Sequence, residues 1–103
     1  MARPYSEQFI IALSKADPTR VGVQLGKVCV KANLPTTHVA KTFKVSRMSI
    51  HSWFRGQYVR EQYYDRIVKF INKVNKDIDN RILPAMSIQD AKKYLEAIHI
   101  DNI

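Results

Sequence analysis

Apolar positions in this chain of 103 residues recur at intervals of three and four, the spacing that lines one face of an α-helix, and no stretch alternates as a half-buried strand does. Turn-forming residues divide them into six segments. The first helix is expected over about residues 6–15, with Phe9, Ile10 and Leu13 apolar, and stops before Asp17-Pro18. The second, over about residues 18–32, opens with Asp17 as N-cap and Pro18 in the first turn, where proline's missing N–H does no harm. Its stripe is Val21, Leu25, Val28 and Ala32, with Gly22 and Cys29 beside it, and Asn33 follows as a residue able to adopt the left-handed conformation that ends helices.

A short third helix is expected over about residues 35–43, apolar at Val39, Ala40 and Phe43, and a fourth over about 47–55, capped by Ser46 and ended by Gly56. The fifth, about 61–80, carries the most regular stripe: Tyr63, Ile67, Phe70, Ile71, Val74 and Ile78. Pro84 interrupts the chain, and a sixth helix begins at Ser87, whose spacing to Asp90 resembles a capping box, with Ile88, Ala91, Leu95 and Ile98 on one face. No internal repeat, low-complexity tract or linker divides the sequence. The expectation is one all-α domain over residues 1–103, a compact bundle of five to six short helices.

Length and cysteine content agree with that. A chain of this size buries roughly two-thirds of the surface its unfolded form exposes, so neither a disulfide nor a metal is required for folding. The single cysteine, Cys29, has no partner within the chain, which suits a reducing, intracellular compartment. The run FIIAL at residues 9–13 is too short to span a bilayer and lacks the flanks of a signal peptide.

Charge changes the picture more. The net charge of +8 lies wholly in residues 1–60, which hold ten Lys and Arg against two acids, whereas residues 61–103 hold seven of each sign. Between Asp17 and Glu61 there is no acid, while Arg20, Lys27, Lys31, Lys41, Lys44, Arg47, Arg55 and Arg60 fall in that gap. Such an imbalance repels itself and points to a polyanionic partner; the plainer alternative is a solvated basic face kept for solubility.

Within this basic segment, TTHVAKTFKVSRMSIHSWFRG (residues 36–56) reads as two short helices joined by a tight turn. A bulky side chain at Ala40 would hold the second helix off, while Val45, Ile50 and Trp53 fill the angle between them. These residues resemble the Cro and lambda-repressor-like helix-turn-helix family, the XRE type, whose pattern runs apolar residue, Ala, Val, Ser, then Ile and Trp, ending in Arg-Gly. The likeness covers roughly residues 18–75. It departs where Lys44 replaces the usual turn glycine, Thr36 a common Gln and Phe54 a common Glu. The resemblance implies a lambda-repressor-like core over residues 18–80, with the helices at 6–15 and 87–100 as accessory or dimerisation elements.

It also implies function. In the family the second helix lies in the major groove with its N-terminal residues at base edges, which makes Arg47, Met48, His51 and Ser52 the candidate base readers. Arginine can grip guanine O6 and N7, serine can donate or accept, and methionine can lie against a thymine methyl. Lys41, Lys44 and Arg55 are placed for phosphates, as is the helix N-terminus around Thr36, Thr37 and His38, whose N–H groups favour an anion. Plainer readings put His51 on a solvated surface and Met48 against the preceding helix. The expected protein is a cytoplasmic, nucleoid-associated, repressor-type regulator of phage or mobile-element kind, binding double-stranded DNA as a homodimer.

Two other classes of binder compete: a DNA-packaging or replication accessory resembling a small terminase subunit, and a basic interaction module for an acidic protein such as RNA polymerase. Catalysis is not expected. His38, His51 and His99 show no metal-ligand spacing, no Gly-rich phosphate loop exists, and NKDIDN at residues 75–80 lacks the glycine and closing glutamate of a calcium loop. No cofactor, metal or membrane is anticipated. The sixth helix has two readings, a dimer contact or a closure of the monomer's own core against helices one and five.

Overall fold

The computed structural model describes residues 5–98. Among them the regular structure is entirely helical: α1 (Glu7–Lys15), α2 (Val21–Lys31), α3 (Thr36–Phe43), α4 (Arg47–Phe54), a 3-10 turn (Glu61–Tyr63), α5 (Tyr64–Asp79) and α6 (Ile88–Ala97). His99 and the last residues of the expected 87–100 helix lie outside the described residues. No helix among the described residues is long and apolar enough to cross a membrane.

Serine hydroxyls open three of these helices. Ser6, Ser46 and Ser87 accept hydrogen bonds from the backbone N–H of Phe9, Ser49 and Asp90, satisfying donors that a helix start otherwise leaves unpaired. The expected start of α2 is corrected. Asp17 does not cap that helix: its carboxylate accepts from Thr19 N–H at 2.9 Å and from Thr19 Oγ1 at 2.7 Å, closing a local turn. An aspartate that bonds two residues ahead diverts the backbone from the helix, so α2 begins three residues later, behind Arg20 and without a side-chain cap. Left-handed residues end two elements as expected, Asn33 after α2 and Gly56 after α4, and Arg81 adopts φ 63° after α5 without a sequence signal.

The central helix is α2, which packs on α1, α4 and α5. It buries Val23, Leu25, Val28 and Cys29, a wider surface than one stripe. The reason is glycine. A Cβ added at Gly22 would lie 2.2 Å from the Trp53 carbonyl oxygen, and one at Gly26 3.0 Å from Phe54 Cγ, so the backbones of α2 and α4 meet where side chains would otherwise stand between them.

Aromatic rings fill both sides of that crossing. Trp53 meets Phe43 edge-on at 6.0 Å and Tyr63 at 5.1 Å, while Phe43 reaches Phe70 at 5.1 Å. On the other side Phe54 packs with Tyr5 and Phe9 and lies against Gly26, so this residue leans on α1 and α2. The Tyr5 hydroxyl donates to the Leu34 carbonyl. Burial matches the expected stripe of α5 at Ile67, Phe70 and Val74 and adds Asp77.

Asp77 holds α6 in place. Its carboxylate accepts from the Tyr94 hydroxyl and lies 3.3 Å from Lys73 Nζ. Ala91 and Leu95 of α6 are buried within the same chain, and the helix packs chiefly on α3 rather than on helices one and five as expected. Ile88, expected on that inner stripe, opens α6 and is 60 % exposed. Between α5 and α6 the chain is tied to the end of α2, with Ala85 N–H donating to Ala32 O at 3.0 Å and Asn33 Nδ2 to Ala85 O at 3.3 Å.

Candidate nucleic-acid interface

The site is built on α3, α4 and the three residues between them. Val39, Ala40 and Phe43 bury one face of α3, and Thr37, Lys41 and Lys44 stay exposed at intervals of four and three, along the opposite side. Thr36 and His38 are half-buried. No side chain caps α3, whose N-cap is Pro35. The N–H of His38 and of Val39 both reach the Pro35 carbonyl, which leaves the N–H groups of Thr36 and Thr37 at the helix mouth.

Lys44 turns the chain. It adopts φ 59° and ψ 41°, and its N–H donates to Lys41 O while that of Val45 donates to Ala40 O. The left-handed conformation that a lysine in this position would have to accept is therefore present. Ser46 then starts α4, and the division along that helix is sharp. Ile50, Trp53 and Phe54 are buried; Arg47, Met48 and Arg55 are exposed, Met48 to 81 %; His51 and Ser52 lie half-buried between them.

The outward surface of α4 has two flanks rather than one face. Arg47, His51 and Arg55 follow one another at intervals of four along a single stripe, and they are close enough to act on each other's charge: partial desolvation, then Arg47, then Arg55 hold the His51 imidazole below its ordinary pKa of 6.5. No ion pair among the described residues engages Arg47, Lys41 or Arg55. Met48 and Ser52 turn to the other flank, where with Ser46, Ser49, Gln57, Tyr58 and Arg60 they line a surface cleft of about 710 Å³.

That cleft contains residues which the helical pattern did not single out as binding. Gln57, Tyr58 and Arg60 are exposed beside α4. Their signal was the acid-free stretch, which runs on through the loop to Arg60. A second, smaller cleft of about 360 Å³ opens on the arginine flank, between α4 and α1, lined by Phe9, Ala12, Leu13, Ala16, His51, Phe54 and Arg55. Among the described residues no three His, Cys, Asp or Glu side chains come together as a metal site would need; Cys29 is buried and its thiol pushed well above its ordinary pKa by desolvation. In comparisons with known proteins the chain matches no family model, no curated protein and no solved structure.

Proposed function

We propose that this protein is a sequence-specific double-stranded DNA-binding regulator of transcription, of the Cro and lambda-repressor-like helix-turn-helix type, that reads the major groove with α4. One observation carries the reading: on a segment without acids, α4 buries Ile50, Trp53 and Phe54 and leaves Arg47, Met48 and Arg55 in solvent. A helix serving only the core has no need of that cationic edge, and the edge is unmatched by carboxylates. Arg47 and Met48 in the first turn, with His51 and Ser52 one turn on, are the base readers; Lys41, Lys44, Arg55 and the α3 start at Thr36, Thr37 and His38 hold the phosphates.

A short helix reads few base pairs, so the regulator works as a two-fold dimer on half-sites one helical turn apart. Because Ala91 and Leu95 already close the monomer, the dimer contact uses other side chains.

Selection from random duplex DNA tests the reading. The expected result is a two-fold symmetric consensus; a repeated or asymmetric array would indicate packaging instead, and no enrichment a protein partner. On the selected site Arg47→Ala should weaken binding by about 1–3 kcal/mol and relax one base position, whereas Lys41→Ala should weaken all sequences alike. Unchanged site preference after Arg47→Ala would remove α4 as the reading helix.

A further inference from the structure

Apart from His51 and Arg55, the residues lining the smaller cleft between α1 and α4 are apolar. Phe9, Leu13 and Phe54 line it, Ala12 and Ala16 leave it open because their side chains are short, and His51 and Arg55 are its polar groups. No carboxylate lines it. Its volume of about 360 Å³ falls at the lower end of the range for small-ligand sites, which typically combine apolar walls with a few convergent polar groups. Arg47 adds a second guanidinium near His51, whose pKa is held down by partial desolvation and then by the two arginines.

We infer that this cleft binds a small amphipathic monocarboxylate of medium chain length, with its tail against Phe9, Leu13 and Phe54 and its carboxylate on the Arg55 guanidinium beside His51. An arginine offers the fork that a carboxylate matches, and the apolar walls exclude fully hydrated anions such as free phosphate. A neutral lipid tail would leave the Arg55 guanidinium unanswered. Arg55 and His51 also belong to the DNA-facing surface of α4, so occupancy of the cleft takes both from the duplex: carboxylate and DNA compete. The competition, unlike the binding, rests on the DNA-binding reading.

The test titrates octanoate into the full chain and follows backbone amides by NMR, with octanol as the uncharged homologue. Octanoate is expected to shift the amides of Phe9, Ala12, Ala16, His51 and Arg55 saturably, in the millimolar range proper to a ligand of this size. Arg55→Gln should weaken octanoate about fivefold and leave octanol unchanged. Ala12→Phe, at an exposed position, should fill the cleft and abolish both. Absence of saturable shifts at these residues, or octanoate affinity indifferent to Arg55→Gln, would overturn the site.

With DNA present, octanoate should raise the apparent Kd of the wild-type protein and not that of Ala12→Phe; an occupied cleft with unchanged DNA affinity would overturn the competition. The two readings fail separately. A cleft that binds octanoate in a protein with no DNA preference sinks only the regulator, and an empty cleft leaves the Arg47 result standing.

Discussion

Lys44 holds a left-handed backbone, φ 59° and ψ 41°, which costs a residue with a Cβ about 1 kcal/mol and glycine almost nothing. Lys44→Gly should therefore raise stability by about 0.5–1 kcal/mol in urea denaturation while weakening DNA binding through loss of a phosphate contact. Opposite signs in the two measurements would separate backbone strain from charge at one residue; loss of stability would mean that the lysine side chain contributes more than its backbone costs. His51 gives a second handle. Its folded pKa lies below the ordinary 6.5 because desolvation and then Arg47 and Arg55 disfavour the imidazolium, and α1 meets it with the uncharged Phe9, Ala12, Leu13 and Ala16. The unfolded chain then binds more protons, so this contribution is complete above about pH 6.5 and is lost as pH falls through the folded value. Thermal melts between about pH 7.5 and 5 should decline for wild type and flatten for His51→Gln. An identical slope in both would place the titration elsewhere.

Between elements, the crossing of α2 and α4 decides how far α4 stands out from the body. A methyl at position 22 would strike the Trp53 carbonyl at 2.2 Å, which is backbone and cannot rotate away, whereas at position 26 the nearest atoms belong to the Phe54 and Leu13 side chains at 3.0 Å and 3.1 Å. Alanine improves helix propensity at both sites by about 1 kcal/mol. Overpacking of about 1–3 kcal/mol or more should outweigh that gain at position 22, so Gly22→Ala lowers the melting temperature and Gly26→Ala has a smaller effect. Equal melting temperatures would show that α2 and α4 slide apart freely. This contact was hard to read: Gly22 stood next to a regular apolar stripe, and nothing in the stripe says which backbone approaches it. The start of α2 was misread for a related reason, since Asp17 can cap a helix or bond to Thr19, and the local turn won.

At the scale of the molecule the charge pattern sets the expected physics. Lys41, Lys44, Arg47 and Arg55 lie in a segment free of acids, and if about four to six cations per subunit meet phosphates, log K should fall against log salt with a slope of roughly −4 to −5 per subunit. A binding isotherm insensitive to salt would contradict a phosphate-held complex. The other half of the chain is neutral and serves the fold: α5 carries the core stripe, and Asp77 fastens α6 through Tyr94. That link was not legible beforehand, because Asp77 sat in a polar run, NKDIDN, and its burial depends on a tyrosine 17 positions away.

The sequence by itself determined the six helices, the side of α4 that is buried and the location of all surplus charge, since helical period, caps and ionisation are local properties written in neighbouring residues. Only the tertiary structure decided that Phe54 leans on α1, that α6 closes the monomer, that two glycines bring α2 against α4, and that the outward surface of α4 divides into two flanks with a cleft on each. Those outcomes depend on which surfaces meet across long separations in the chain, and a periodic pattern states that a face is apolar without stating what will cover it.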